Sequence, residues 1–384
     1  MSAVADKKVL IMAGGTGGHI FPALSIARHL QSLGVDVEWL GTRKGMESRI
    51  IPETDIPIHY ISVSGLRGKS RLTILFSPFV VLLAIIQSLI KLLAVKPSCV
   101  LGMGGFVTGP GGVAAWLLRK PLLIHEQNAI AGLSNQMLSP MASTVMEGFA
   151  GAFRRKQELS RNRFMKSLIK TEKAIDVGNP LRREVLECET PEQRFAGHEQ
   201  EGPIRILVIG GSLGAAAINR VIAEFLQSFS GAAEIELWHQ CGKNNIVECK
   251  KYYAELGIRR SEKIRLVPFI DDMAAAYSWA DIVVCRAGAS TVSEIAAVGL
   301  PAVFIPFPYA VDDHQTENAM ILHKLGAAWI IQQHELKPQM LENIISRFQE
   351  DRSLILQTAL LARQAARPEA TETAAKLCIE ACYA

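Results

Sequence analysis

No C-x-x-C pair occurs among the seven cysteines of this 384-residue chain, and the net charge at pH 7 is only +4. An odd number of cysteines without that spacing argues against both a disulfide scaffold and a zinc site, and fits a reducing compartment. A charge so close to balance lacks the global basic excess of many nucleic-acid binders, so no nucleic acid is expected as a partner and any basic surface must be local. The sequence also lacks G-x-x-x-x-G-K-[ST], a D-x-D carboxylate pair and a complete dinucleotide fingerprint. Read from Gly15, the last fingerprint position falls on Ile20, and the next apolar run ends Trp39-Leu40-Gly41-Thr42 with no acid for a ribose. Hydride transfer is therefore not expected, and neither is a metal or a cofactor. The opening MSAVADKKVLIMAGGTGGH has no h-region or small-residue cleavage site, so export is not expected.

What is present is a recurring unit. Short β-branched runs that end in glycine or a polar loop and lead into helical patterns occur at Val9–Met12, Val37–Leu40, Ser98–Gly102 and Leu122–His125. They recur at Ile206–Ile209, Glu236–His239, Ile282–Cys285 and Ala302–Pro306. Such repetition predicts parallel α/β sheets covered on both faces. The series starts twice, because VLIMAGGTGG (9–18) and ILVIGGSLGA (206–215) share one strand-then-glycine form. Two doubly wound domains are predicted, with a hinge in VGNPLRRE (177–184), and a helical stretch 353–366 broken at Pro368.

With 49% hydrophobic residues a large core is available. Leu72–Ile90 is 19 residues without a charge, flanked by Arg67, Lys69, Arg71, Lys91 and Lys96. Its length would let it span a bilayer, but spanning would separate strands that must pair in one sheet. A buried helix and a helix lying in the membrane interface, with its basic flanks on anionic head groups, are the stronger readings, the interfacial one leading. The run 154–173 adds eight Lys or Arg against two Glu, with apolar residues interleaved; a solvated loop is its plain alternative.

Three glycine loops follow strands: Gly14–His19, Gly102–Gly112 and Gly210–Gly214. Each can turn backbone N–H groups and a helix N-terminus toward an anion, so ligands carrying diphosphates are expected. His19 closes the first loop, as a base or as a backbone-bonded helix-start residue. His125-Glu126-Gln127-Asn128 puts four polar residues at a strand end, which favours a place lining a cleft. Glu294 lies about one turn into a helix behind Gly288-Ala289-Ser290-Thr291, where it would accept ribose hydroxyls or complete a capping box. Asp312–Asn318 opens another helix just past a strand end.

Eight ordered motifs then carry a resemblance over nearly the whole chain. GGTGGH (14–19), SGLRGK (64–69), GMGGFVTGPGG (102–112), HEQN (125–128), GNPLR (178–182), GGSLGA (210–215), FIDDM (269–273) and GASTVSE (288–294) resemble the bacterial undecaprenyldiphospho-muramoylpentapeptide β-N-acetylglucosaminyltransferases, which convert lipid I to lipid II in peptidoglycan synthesis. The resemblance implies two Rossmann-like domains facing a cleft, a glycosyltransferase B-type fold. The domains would be residues 1–178, facing acceptor and membrane, and 179–355, binding UDP-sugar, with 356–384 returning to the first. It implies inverting transfer of N-acetylglucosamine from UDP-N-acetylglucosamine to the muramoyl 4-hydroxyl of undecaprenyl-linked lipid I, with no cofactor.

Carried over by residue, the resemblance puts uracil near Ile270, ribose on Glu294, and diphosphate at Ser212 and at Ala289, Ser290, Thr291 and Val292, with Ser293 beside them. Gln315 matches a donor-sugar contact; Thr16, Gly17, Gly18, Asn128 and Arg182 match further donor-site positions; Gly104 and Gly105 match the loop for the acceptor diphosphate. His19 becomes the candidate base, since an unperturbed imidazole with pKa about 6.5 is mostly neutral in a cytoplasm. The implied location is peripheral, on the cytoplasmic face of the bacterial inner membrane, through Leu72–Ile90 and 154–173. A UDP-sugar 2-epimerase of the same fold and a noncatalytic membrane-docking nucleotide-sugar sensor are the rival readings.

Overall fold

Thirteen strands form in the computed structural model, which describes residues 7–63, 77–160, 174–196, 202–211, 214–258 and 262–384. In chain order they are β1 (Lys8–Met12), β2 (Asp36–Thr42), β3 (Ile58–Ile61), β4 (Cys99–Gly102), β5 (Leu122–Glu126), β6 (Thr144–Glu147) and β7 (Ala174–Asp176). Then come β8 (Ile204–Ile209), β9 (Ile235–Gln240), β10 (Ile264–Val267), β11 (Ile282–Cys285), β12 (Ala302–Phe304) and β13 (Ala328–Ile330). All pairings are parallel, in two sheets of order β3-β2-β1-β4-β5-β6-β7 and β10-β9-β8-β11-β12-β13.

The eight runs read from sequence all became strands. The five others, β3, β6, β7, β10 and β13, are short and lie toward the sheet edges, where partial exposure weakens the apolar signal. In β1 the period of two is visible in the packing: Val9 and Ile11 belong to one core, Leu10 and Met12 to the other, so both faces of the first sheet are covered. A third core fills the second unit around Ile206, Val208 and Leu237.

The chain divides into two compact units, Met1–Arg182 with Arg367–Ala384, and Arg183–Ala366. In the first, the helix Ala370–Ala381 packs on the helix Gly17–Ser32 and on β4. In each sheet the order reverses beside the first strand, between β1 and β4 and between β8 and β11. Ligands of open α/β sheets bind beyond the strand ends at that reversal, which is where the glycine loops fall.

The apolar segment forms the helix Ser77–Val95; its first residues, 72–76, lie outside the described residues. Ala84, Ser88, Leu92 and Val95 recur on one face and are buried, whereas Phe79, Leu82, Leu83, Ile90 and Leu93 are each more than half exposed. The buried-helix reading is thereby corrected: one narrow stripe packs on the helix Thr108–Leu117, and the wide face is open. Of the basic run, 154–160 end the helix Ala152–Leu159 and its loop, and 161–173 lie outside the described residues.

Candidate functional site

In the first unit, four separated motifs converge at the ends of β1, β4 and β5. Thr16 is the N-cap residue of Gly17–Ser32, and His19 on the first turn has Nδ1 3.3 Å from Thr16 Oγ1. The imidazole lies against Gly104: a Cβ there would sit 2.7 Å from His19 Cδ2 and 3.0 Å from Nε2. Gly104 and Gly105 have φ of +96° and +82°, and a side chain on Gly105 would collide with the Gly14 carbonyl. Only glycine permits that backbone and that approach at once, so the first two glycine loops form one surface with His19 between them. Thr108 locks it, its hydroxyl donating to Gly104 O at 2.7 Å and accepting from Gly104 N–H at 3.1 Å.

HEQN is mostly scaffold. His125 is fully buried with Nε2 2.9 Å from Gly178 O, and burial pushes its pKa down to about 4. Glu126 accepts from the Asn128 and Gly132 N–H groups and from Asn135 Nδ2, at 3.0, 2.8 and 2.9 Å; burial still holds its pKa above the ordinary carboxylate value. Gln127 Nε2 donates to Met103 O at 2.9 Å, and Asn179 Nδ2 to Gln127 O at 3.0 Å. The expectation that this tetrapeptide lines a cleft is corrected for its first three residues, whose polar groups hold the loops in place. Asn128 alone stays half-buried, and Arg182 lies over the Phe21 ring at 6.0 Å.

Sequence reasoning missed Glu47. Fully buried, it accepts from Gly15 N–H at 3.0 Å and from Thr42 N–H and Oγ1 at 2.8 and 2.7 Å. A carboxylate already takes the Gly15 N–H, so an anion at this loop must use the start of the Gly17–Ser32 helix. A recess of about 170 Å³ opens beside it, walled by Gly14, Gly15, Lys44, Glu47, Phe106 and Val107.

The second unit repeats the plan. Gly288 is the N-cap residue of the helix Ala289–Val298, and no side chain caps it, which corrects the capping-box reading of Glu294. Glu294, six residues into the helix and buried, accepts instead from the Tyr277 hydroxyl at 2.9 Å. Ser290 Oγ is buried at the helix start without a protein hydrogen-bond partner. Thr291 and Ser293 are half-buried, and Ala289 and Val292 buried. Ile270 is buried just before Asp272, which accepts from Ala275 N–H at 2.9 Å and caps the next helix. Gln315 Oε1 accepts from Phe307 N–H at 2.9 Å, and Asn318 Nδ2 donates to Ala287 O at 3.1 Å. Asp312 and Asp313, at φ of +54° and +51°, are left-handed non-glycine residues in succession just before it. Such conformations cost about 1–3 kcal/mol each and concentrate at functional sites. Gln240 Nε2 holds Gly211 O at 2.8 Å; Ser212 and Leu213, and in the first unit SGLRGK, lie outside the described residues.

Residues 9–147 match the glycosyltransferase family 28 N-terminal domain, and 205–374 match its C-terminal domain. The chain belongs to glycosyltransferase family 28. Its two units are the Rossmann-like pair of the B-type glycosyltransferase fold. Among relatives in the family, the UDP-N-acetylglucosamine–N-acetylmuramyl-(pentapeptide) pyrophosphoryl-undecaprenol N-acetylglucosamine transferase of Marinobacter nauticus is 48% identical over 98% of both chains. The solved structure of Acinetobacter baumannii MurG is 38% identical, with a TM-score of 0.78 over 97% of this chain and 99% of that one. A UDP-GlcNAc 2-epimerase from Neisseria meningitidis aligns with a TM-score of 0.66 over 96% of this chain and 98% of that one, but is 15% identical, a likeness of fold alone. Family 28 membership makes the chain a glycosyltransferase, which sets aside the noncatalytic sensor.

Proposed function

We propose that this glycosyltransferase transfers N-acetylglucosamine from UDP-N-acetylglucosamine to the muramoyl 4-hydroxyl of lipid I, with His19 as the general base. The observation that carries the reading is the His19 imidazole set against Gly104, on the surface shared by the first two glycine loops. For Nε2 to take the acceptor proton, Nδ1 must carry its own and donate it to Thr16 Oγ1, which fixes the tautomer the geometry requires. Acceptor diphosphate belongs, in this reading, on the Gly104-Gly105 backbone.

The donor reading rests on the second unit: uracil beside Ile270, ribose on Glu294 as oriented by Tyr277, and diphosphate on the Ala289–Val292 helix start, with Ser212. The partnerless Ser290 hydroxyl is a donor set into that helix start, as an anion site needs. Negative charge building on UDP would meet N–H groups and a helix end. Gln315 is assigned to the donor sugar, and Thr16, Gly17, Gly18, Asn128 and Arg182 to further donor contacts.

The same reading places the protein peripherally on the cytoplasmic face of the inner membrane, where a polyprenyl-linked acceptor resides. Its support is the exposed apolar face of Ser77–Val95, the one helix among the described residues long and apolar enough to cross a membrane.

UDP release from UDP-N-acetylglucosamine, with and without a lipid I analogue, tests the reaction. Release that depends on the analogue is expected, and His19→Ala should lower turnover by about 10²–10⁴ with little change in donor affinity. Near-normal turnover of that variant across the pH range excludes His19 as the base.

A further inference from the structure

The second unit holds a buried polar cluster that the transfer reaction leaves unused. His239 stands near the end of β9, Cys241 just beyond it, and Cys249 and Tyr253 one turn apart on the helix Ile246–Glu255. All four side chains are buried. His239 Nδ1 is 2.8 Å from the Tyr253 hydroxyl, and Nε2 is 2.9 Å from Asn219 Oδ1. Asn219 Nδ2 donates to the Cys241 carbonyl at 3.0 Å, which fixes the amide orientation and turns its oxygen to the ring. Nε2 must therefore carry the ring proton, leaving the lone pair on Nδ1, where the tyrosine hydroxyl donates to it.

A metal-binding histidine is held in this way, one nitrogen donating to a fixed oxygen while the other offers its lone pair. A ring nitrogen of His239 and the sulfurs of Cys241 and Cys249 lie within 4.8 Å of one another. Tetrahedral zinc, with bonds of about 2.0–2.3 Å, sets such atoms about 3.5–3.8 Å apart, so side-chain adjustments of about 1 Å would close the set. The ring is held by Asn219 and Tyr253, and both thiols lie in the core of the second unit beside it, Cys241 Sγ donating to the His239 carbonyl at 3.6 Å.

We propose that His239, Cys241 and Cys249 form a binding site for a thiophilic divalent cation of the Zn²⁺ class. Binding exchanges two S–H bonds for two metal–sulfur bonds and releases two protons. Two thiolates and a neutral imidazole around a divalent ion carry no net charge, the condition under which a buried pocket accepts an ion. Asn219 is the positioning residue, and the Tyr253 hydroxyl is displaced from Nδ1. The sequence reading expected no metal because it looked for C-x-x-C; here the ligands come from a strand end and the following helix.

The test is titration of the reduced, chelator-stripped full chain with Zn²⁺ against a chromophoric competitor, and with Co²⁺ followed by thiolate-to-metal charge-transfer absorption. One equivalent should bind, with that absorption. Cys241→Ser and Cys249→Ser should each abolish it, Asn219→Ala should weaken affinity about 10–100-fold, and Tyr253→Phe should retain binding. The double variant Cys99→Ser with Cys382→Ser removes the other close thiol pair, whose sulfurs are 3.2 Å apart, and should bind normally. Should the single variants fail to fold, zinc-edge absorption of the loaded wild type decides: two sulfurs and an imidazole nitrogen support the site, and an oxygen-and-nitrogen shell overturns it. Unchanged binding in folded Cys241→Ser also overturns it.

Discussion

A buried carboxylate that keeps one fixed neighbour can present its oxygens in a defined direction, and Glu294 meets that condition through Tyr277. Glu294→Ala should weaken UDP-N-acetylglucosamine by about 2–4 kcal/mol, the range for deleting one partner of charged hydrogen bonds. Tyr277→Phe should raise the donor KM and spare kcat, since it loosens the carboxylate without touching the reacting centre. Calorimetry and initial rates check both; an unchanged donor affinity in Glu294→Ala removes the ribose assignment. His125 makes a separate forecast. Its native pKa of about 4 lies below the unfolded value near 6.5, so its contribution to stability is complete above pH 6.5 and is lost as pH falls toward 4. The loss is about 1.4 kcal/mol per pH unit across that window. Glu126, raised by burial, opposes it, so comparison isolates the histidine: His125→Asn should be less stable at pH 7 but show a shallower acid slope in urea midpoint. Parallel slopes would show that the histidine does not set the acid limb.

Among the elements, the helix Ser77–Val95 is the one whose packing and composition disagree most. Only Ala84, Ser88, Leu92 and Val95 are buried, while Phe79 is 70% and Ile90 60% exposed. Further exposed apolar residues lie on the helix packed against it, at Trp116 and Leu117, and on the helix Leu133–Leu138 packed against that one, at Leu133 and Met137. A patch of that kind marks an interaction surface, and Lys91 and Lys96 at one end suit anionic head groups at about 1 kcal/mol each. Phe79→Ser, Leu82→Ser and Ile90→Ser together should reduce binding to anionic vesicles while sparing folding and activity on a short-chain, water-soluble acceptor. High salt should weaken wild-type binding in part. Equal binding of wild type to neutral and anionic vesicles, or full binding by the triple variant, counts against the membrane assignment.

At the level of the whole molecule, each compact unit has its own sheet and core, and the C-terminal segment belongs to the first. Ala374, Ala375 and Cys378 are buried in the core that contains Val9, Ile11 and Ile20. Truncation after Ala366 should therefore increase amide exchange in β1 and in Gly17–Ser32, and leave β8 and β11 protected as before. Exchange rising equally in both units would contradict this division.

Alternation of apolar residues and glycines at strand ends are properties of near neighbours, so eight of the nine inner strands, the two doubly wound units and the loops carrying Thr16, Gly104, Gly210 and Gly288 were all legible in the amino-acid order. The motifs also carried the resemblance to the lipid I N-acetylglucosaminyltransferases, and with it the expectation of His19 and Glu294 in the site. Partners far apart in the chain were not legible: Glu47 with Gly15, Tyr277 with Glu294, and His239 with Cys249 meet through sheet order and helix register, which no local period encodes. For the same reason His125 and Gln127 read as ligand-facing, since a buried scaffold and an open site use the same residue types. The apolar segment shows this most plainly, because the nineteen uncharged residues Leu72–Ile90 suit either a core or a lipid surface. Its neighbours cover one narrow stripe, and that packing settles which face stays open.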